Sequence, residues 1–192
     1  MKKNVLITLL LLMALLTGCG KVQTADEKAG SYPTFEYTHY SSGGNAETYE
    51  AVILFEQSVS TFTSYQVGFV SCTCRDSLVN YYSVCYVELL NGKPTADESA
   101  IRTITFGNNQ GLWGDSNPNY YKHEYTQEYM DANFVQPLVR LTKAEIDQWQ
   151  GYGTWVDAVD ADAVSGATVS TSNITSMLQG LFEYHANKYY SK

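Results

Sequence analysis

Residues 162–170 read DAVSGATVS, and residues 171–188 continue as TSNITSMLQGLFEYHANK. In the second segment the apolar side chains recur at i, i+3, i+4, i+7 and i+8. These residues are Ile174, Met177, Leu178, Leu181 and Phe182. This spacing predicts an amphipathic helix from about Thr171 to Lys188, with its apolar stripe packed on the rest of the domain. The small residues just before it predict a tight turn that leads into the helix.

A small-residue turn at a helix start is a favourable place for a phosphate. The unbonded N–H groups of the first turn and the helix dipole both attract negative charge there. Ser165, Gly166 and Ala167 allow close approach, and Gly166 can adopt a positive φ if the turn requires it. Thr168 and Ser170 carry hydroxyls that can bond a phosphate or cap the helix. A capped helix after a tight turn, without any ligand, is the alternative interpretation.

The D-x-x-S-G-A-T-x-S run resembles the flavinylation motif of the FMN-binding domain family. That family includes the C subunit of the sodium-pumping NADH:quinone oxidoreductase and the G subunit of Rnf complexes. The resemblance covers about the last 90 residues. It implies that FMN is esterified through its phosphate to Ser170, with Thr171 as the rival acceptor. It also implies that Asp162 is part of what a flavin transferase recognises.

Two further features extend the resemblance. Gly111 and Leu112 begin a G-L-W-G run similar to the glycine-containing loop that approaches the flavin in family members. Trp149, Tyr152 and Trp155 lie just before the motif, and their rings can stack on the isoalloxazine or pack in the core.

The N-terminus resembles a bacterial lipoprotein signal. Two lysines precede an apolar run over residues 5–16, which is too short for a comfortable transmembrane span. The run ends in L-T-G-C, which is similar to a lipobox and implies lipidation of Cys19. Residues 1–18 are then a signal peptide, residues 19–32 a lipid-anchored tether, and residues 33–192 the FMN-binding domain. An ordinary signal peptide or a membrane anchor that contains a cysteine is the alternative.

The composition narrows the possible partners. Removing residues 1–18 takes away two lysines and no acids, so the formal charge changes from −8 to −10. An acidic surface argues against nucleic acid as a partner and against direct docking on anionic headgroups. About 160 residues remain for one domain with a core of its own.

The middle of the chain predicts an α+β fold with a mostly antiparallel sheet flanked by helices. Runs rich in β-branched and aromatic residues predict strands, which are residues 35–40, 62–74, 81–90 and 101–106. Residues 47–55 fit a strand or a helix equally well. Residues 127–141 are expected to be partly helical. Thr142 and Glu145 form a capping-box pattern, which predicts a short helix to about Gln150.

Three cysteines besides Cys19 leave several possibilities open. A five-residue hairpin loop after Cys74 would place Cys72 across from Cys85, where a disulfide can form. Buried thiols, or a redox-active cluster of Cys72, Cys74 and Cys85, are the alternatives. A metal site is a further alternative, for which three thiolates without a fourth ligand are weak evidence.

Together these patterns favour a membrane-anchored, extracytoplasmic electron-transfer flavoprotein. It would be the substrate of a flavin transferase, and a carrier of electrons more than an enzyme in itself. Electrons would come from a membrane oxidoreductase and go to a reductase or an extracellular acceptor. Two other classes stay open, namely a binding or interaction lipoprotein without flavin and a thiol-based redox protein.

Overall fold

A computed structural model describes residues 32–72, 82–107 and 125–191. The chain divides into two compact units, residues 1–32 and residues 33–192, and only Tyr32 of the first unit is described. All of the helices and strands below belong to the second unit. Within the described ranges, no helix combines the length and the apolar character needed to cross a membrane.

The second unit is built on a five-stranded antiparallel sheet. Its strands are β1 (Thr34–Tyr40), β2 (Ala46–Ser58), β3 (Phe62–Val70), β4 (Tyr82–Leu90) and β5 (Ile101–Phe106), paired in that order. Tyr65, Val67 and Phe69 alternate along β3 and are fully buried. This period of two places one face of the sheet on the core.

Helical segments follow the sheet in the chain. They are α1 (Gln127–Met130), α2 (Gln136–Leu138), α3 (Lys143–Ile146), α4 (Ala161–Val164) and α5 (Thr168–Tyr189), with a π-helical turn at Asp131–Val135. A 3₁₀ turn at Ala96–Glu98 precedes β5. The expected α+β fold with a mostly antiparallel sheet and a long C-terminal helix is therefore confirmed.

Some boundaries differ from the sequence expectation. Strand β3 ends at Val70, which pairs with Tyr82, so the connection to β4 spans residues 71–81 and not about five residues. Residues 47–55, ambiguous in sequence, belong to β2. The capping box of Thr142 and Glu145 does form, but α3 ends at Ile146. It ends early because the N–H groups of Gln148 and Trp149 bond three residues back, as in a tight turn.

The apolar stripe of α5 forms the core, as predicted. Its five members, Ile174, Met177, Leu178, Leu181 and Phe182, are each at most 1% exposed. The helix begins at Thr168, however, three residues before the expected start. The last residues of the DAVSGATVS run are therefore the first turn of the helix and not the turn before it.

A second, polar face of α5 contacts the outer edge of β1. The Asn173 side chain accepts from the N–H of Tyr40 at 2.6 Å and donates to the carbonyl of Tyr40 at 3.0 Å. It also donates to the carbonyl of Ser71 at 2.8 Å. One turn later, the Ser176 hydroxyl accepts from the N–H of Thr38 at 3.0 Å. Side chains of α5 thus satisfy backbone groups that no neighbouring strand reaches.

Gly180 continues this face toward the start of β1. A Cβ atom at residue 180 would lie 2.5 Å from the carbonyl oxygen of Glu36 and 2.9 Å from the Phe35 ring. A glycine is needed here because the helix backbone lies directly against the strand. The Phe35 and Tyr184 rings meet one turn later, with centroids 6.2 Å apart. Helix α5 therefore runs antiparallel to β1.

This arrangement gives the second unit two distinct ends. The entry end contains Pro33, where the unit begins, and the C-terminal turns of α5. The motif end contains Tyr40, Ser71 and the first turn of α5. Because α5 has 22 residues at about 1.5 Å rise per residue, the two ends are about 30 Å apart.

A buried histidine lies near the entry end. The Nδ1 atom of His185 is 2.8 Å from the Tyr65 hydroxyl, and the rings of Tyr189 and Tyr190 pack against the imidazole. Its Nε2 atom is buried and has no hydrogen-bond partner among the described residues. Because burial disfavours the charged imidazolium, the pKa of His185 is lowered from 6.5 to about 4.

Acidification should therefore destabilise the fold through His185. Above its unfolded pKa of 6.5 the imidazole is neutral in both the folded and the unfolded state, so burying it costs no protonation free energy there. As pH falls from 6.5 toward 4, the unfolded chain binds a proton that the folded chain excludes. The free energy of unfolding should then fall by roughly 1.4 kcal/mol per pH unit. Urea unfolding of the wild type and of His185→Gln at pH 7 and pH 4.5 measures this. Equal pH dependence in both proteins would contradict it.

Candidate functional site

The DAVSGATVS run forms a kinked helical entry into α5. Helix α4 is followed by a 3₁₀ turn at Ser165–Ala167, and α5 begins at Thr168. The backbone leaves helical geometry at Val164 (φ −122°) and again at Ala167 (φ −106°). The N-terminus of a 22-residue helix thus lies inside the run. This terminus favours negative charge at the surface of the motif end.

The hydroxyl groups of this region differ sharply in exposure. Ser170, the expected acceptor, is 0% exposed, and its rival Thr171 is 1% exposed. Ser165 is exposed and Thr168 is half-buried. The Thr168 hydroxyl donates to the carbonyl of Ser165 at 2.6 Å. Because the helix starts earlier than expected, Ser170 and Thr171 face the interior, while Ser165 and Thr168 reach solvent.

Carboxylates surround the start of this run. Asp160 caps α4 by accepting from the N–H of Asp162 at 3.1 Å, and both side chains are exposed. Asp157 is exposed a few residues earlier. This acidic edge repels a free phosphate. The exposed Asp162 side chain lies at this acidic edge, which disfavours a role in holding a phosphate.

The Tyr125 ring lies so close to residue 166 that it leaves no room for a side chain there. Its N–H donates to the Tyr125 hydroxyl at 3.2 Å, and a Cβ atom at residue 166 would lie 2.5 Å from the Tyr125 ring. Gly166 is not among the glycines with positive φ, so the turn does not use the conformational freedom that this glycine offers. Tyr129 packs edge-on against Tyr125 and donates to the carbonyl of Ala163 at 3.0 Å. Two tyrosines thus fix the kinked entry.

Gly166→Ala is expected to displace the Tyr125 ring and to destabilise the fold by about 1–2 kcal/mol. The variant loses the hydrogen bond to the Tyr125 hydroxyl and crowds the ring, which can move because it is half-exposed. In a Tyr125→Ala background the same substitution should lower the free energy of unfolding much less, since no ring is left to displace. Urea unfolding of the wild type, of each single variant and of the double variant measures the coupling free energy between residues 125 and 166. Additive effects would show that the contact does not form.

A cavity of about 510 Å³ lies between the region of α3 and the segment 155–158 that precedes the DAVSGATVS run. It is lined by Leu141, Glu145, Gln148, Trp155, Val156, Asp157 and Ala158. The half-buried Trp155 connects the cavity to the helix, because its indole N–H donates to the Thr171 hydroxyl at 3.3 Å. A volume of this size lies within the range of small-molecule sites.

Trp149 and Tyr152, the other two aromatic residues named from sequence, make contacts within the folded domain. Trp149 is 8% exposed and donates to the carbonyl of Thr154 at 2.9 Å. Tyr152 packs against Tyr40, with ring centroids 5.7 Å apart, and lies over Gly44. Of the three aromatic candidates, Trp155 is the one that lines the cavity.

The cysteines do not form the expected cross-strand pair. In the register between β3 and β4, Val67 lies opposite Cys85, whereas Cys72 lies beyond the end of β3. Cys72 and Cys85 are both buried, and they form no disulfide with each other. Burial raises the pKa of Cys85 to about 12, so that thiol stays protonated and unreactive at neutral pH. The expectation failed because the strand pairing is shifted relative to the assumed five-residue loop.

Several predicted residues lie outside the described ranges. They are the lipidation residue Cys19, the loop residues Gly111 and Leu112, and Cys74. Conversely, sequence reasoning missed Tyr125 and Asn173, which hold the motif end together. For Asn173, the available signal was its spacing of three and seven residues from Ser176 and Gly180. Within the described ranges, no group of three His, Cys, Asp or Glu side chains can hold a metal ion.

The fold and site thus define a small α+β domain with a helix N-terminus, two surface hydroxyls and an adjacent cavity. Comparisons with family models, curated proteins and solved structures found no match to this chain.

Proposed function

We propose that this chain is a lipid-anchored, extracytoplasmic electron-transfer flavoprotein whose FMN is attached by a phosphoester at the start of α5. The observation that carries the proposal is the D-x-x-S-G-A-T sequence placed at a helix N-terminus with a surface hydroxyl. Cleavage at the L-T-G-C sequence would leave Cys19 as the lipidated first residue, on the extracytoplasmic face of the cell membrane.

Burial supports Thr168 as the acceptor in place of Ser170. Esterification of Ser170 requires the first turn of α5 to unwind, because this side chain is 0% exposed. Thr168 requires only that its hydroxyl leave the Ser165 carbonyl. In this step the Thr168 oxygen bonds to the flavin-side phosphorus of a flavin dinucleotide, the phosphoanhydride P–O bond breaks, and the nucleoside monophosphate leaves with the hydroxyl proton.

The residues present fit a flavin of this kind. The helix N-terminus partly offsets the phosphate charge, and the Trp155 side chain offers an aromatic surface beside the cavity. The exposed acidic residues Asp157, Asp160 and Asp162 oppose the phosphate charge, so the covalent ester has to hold the phosphate against this repulsion. FMN supplies the redox chemistry, since it accepts and passes on electrons. The chain positions it and excludes water on one side.

The partners in this proposal follow from the site. A flavin transferase recognises the run that contains Asp162 and attaches FMN, so the chain is the substrate of that enzyme. A membrane oxidoreductase donates electrons, and a reductase or an extracellular acceptor receives them. Between the two alternatives, the buried and protonated Cys85 argues against a thiol-based redox protein. A binding lipoprotein without flavin is the outcome if no FMN is attached.

The test is the mass of the full-length chain after coexpression with an active flavin transferase. The expected result is a gain of one FMN less one water on the peptide that contains residues 162–178. Fragmentation should place the added mass on Thr168. No gain, with a control substrate modified by the same transferase, would overturn the flavoprotein proposal and leave the binding lipoprotein. A gain on Ser170 or Thr171 would keep the function and move the acceptor.

A further inference from the structure

The cavity between α3 and residues 155–158 has an acidic lining. Its volume is about 510 Å³, and the carboxylates of Glu145 and Asp157 belong to its walls. No lysine, arginine or histidine is among the lining residues that the structure describes. The nearby Lys143 is held by Asp147 and by Glu183, whose carboxylate lies 3.7 Å from its ammonium group. The lining therefore favours a positively charged ligand over an anion.

Both carboxylates keep oxygen atoms free for a ligand. The Oε2 atom of Glu145 accepts from the N–H of Thr142 at 2.8 Å and from its hydroxyl at 2.7 Å. These two bonds lower the pKa of Glu145, so its carboxyl group is ionised at neutral pH. Within the described ranges, the Oε1 atom of Glu145 and the exposed Asp157 side chain make no hydrogen bond or ion pair. Two negative charges therefore remain available at the cavity.

The rest of the lining is largely carbon. The indole N–H of Trp155 is already bonded to the Thr171 hydroxyl at 3.3 Å, so the ring offers the cavity its carbon atoms and π electrons. Leu141, Val156 and Ala158 add aliphatic surface. A metal ion would need more oxygen ligands, and the described residues contain no group of three His, Cys, Asp or Glu that could bind one. Carboxylates beside an indole ring suit an organic ammonium ion instead.

The walls of this cavity are fixed by hydrogen bonds within the fold. On one side, the capping box holds Glu145, and the N–H of Lys143 donates to the carbonyl of Ser99 at 2.8 Å. On the other side, the N–H of Val159 donates to the carbonyl of Val156 at 2.9 Å. A ligand therefore meets a site that is already formed, and little ordering of the chain opposes binding.

We propose that this cavity binds a small organic ammonium ion, with the charge of the ligand against Glu145 and Asp157 and its carbon atoms against Trp155. The inference goes beyond the proposed function and does not depend on it, because these side chains line the cavity with or without FMN. The phosphate of FMN is an anion, so the same carboxylates disfavour it inside the cavity. Preference for a cation over an uncharged molecule of equal shape is the property that identifies such a site.

Calorimetric titration of the full chain, prepared without a flavin transferase, tests the proposal with three related probes. Benzylammonium carries a primary ammonium group, benzyltrimethylammonium a quaternary one, and benzyl alcohol no charge. At low salt, at least one of the two cations should bind about tenfold more tightly than the alcohol. The difference should shrink as salt is added, because ions screen the exposed carboxylates. Tighter binding of the primary ion would show that N–H donation to the carboxylates dominates, and tighter binding of the quaternary ion would assign this role to the indole ring.

Two substitutions remove the charges and keep the shapes. Asp157→Asn and Glu145→Gln should each weaken cation binding about threefold, and glutamine can still complete the capping box with Thr142. The double variant should bind the cations and the alcohol equally. Asp160→Asn is the matched control, because it removes an exposed carboxylate of the same region that does not line the cavity, and asparagine can still cap α4. It should keep the preference for cations.

Other results would overturn the proposal. Equal binding of all three probes to the wild type, or binding of none, shows that the cavity does not recognise an ammonium group. A preference that survives in the double variant, or disappears in Asp160→Asn, assigns the attraction to the acidic surface as a whole and not to the cavity. Binding of a lysine-rich peptide without binding of either small cation would identify a partner protein as the occupant. The mass of the chain after coexpression with a transferase reports FMN separately, so the two proposals fail independently.

Discussion

Replacing Thr168 with valine should abolish covalent FMN attachment. Valine keeps the branched shape of threonine but lacks the hydroxyl that forms the ester. The fold should lose only about 1 kcal/mol, because a single hydrogen bond to the Ser165 carbonyl is removed. The measurement is flavin absorbance and fluorescence that stay with the denatured polypeptide after coexpression with the transferase.

Ser170→Ala and Thr171→Val are the matched controls for this substitution. Both side chains are buried, so both variants should keep full flavin incorporation if they fold. Unfolding curves of all three proteins separate loss of attachment from loss of structure. Full incorporation in Thr168→Val together with none in Ser170→Ala would show that the first turn of α5 opens before the transferase acts.

Asn173→Ala should be the most damaging single substitution for stability, at about 4 kcal/mol. The fully buried Asn173 side chain bonds the N–H and the carbonyl of Tyr40 and the carbonyl of Ser71. Alanine leaves three backbone groups without their partners, and each such group costs about 1–3 kcal/mol. Urea unfolding monitored by tryptophan fluorescence measures the change.

Asn187→Ala is the control for Asn173, because it makes the same change in the same helix. The Asn187 side chain is exposed and donates only to Glu183, at 3.2 Å. Its replacement should change the free energy of unfolding by less than about 0.5 kcal/mol. If Asn173→Ala and Asn187→Ala lower the free energy of unfolding equally, the hydrogen bonds of Asn173 do not stabilise the fold as predicted.

The sequence predicted the elements that depend on local periodicity. The stripe from Ile174 to Phe182 identified α5, because a period of 3.6 residues is visible without any tertiary contact. The β-branched runs identified β3, β4 and β5 for a similar reason. The capping box at Thr142 was also correct, since its hydrogen bonds join residues three apart.

Features that depend on long-range contacts were not predictable in this way. The register that places Val67 opposite Cys85 is set by the whole sheet, so a loop length assumed from turn residues misplaced the cysteines. The exposure of Thr168 relative to Ser170 depends on where α5 starts, and helix boundaries are the least certain part of a sequence pattern. The contact of Tyr125 with Gly166 joins residues 41 positions apart, with no local signal.

Part of each edge of the sheet is occupied by the chain itself. On the β1 side, the Asn173 and Ser176 side chains take up the outward-facing backbone groups of Tyr40 and Thr38. On the β5 side, the backbone of residues 140–142 bonds Ile101 in both directions, at 2.9 and 2.8 Å. An unpaired strand is a template onto which a second molecule can add. At Thr38, Tyr40 and Ile101 the outward-facing backbone groups are therefore already bonded, which hinders a second copy of this domain from adding a strand at these positions.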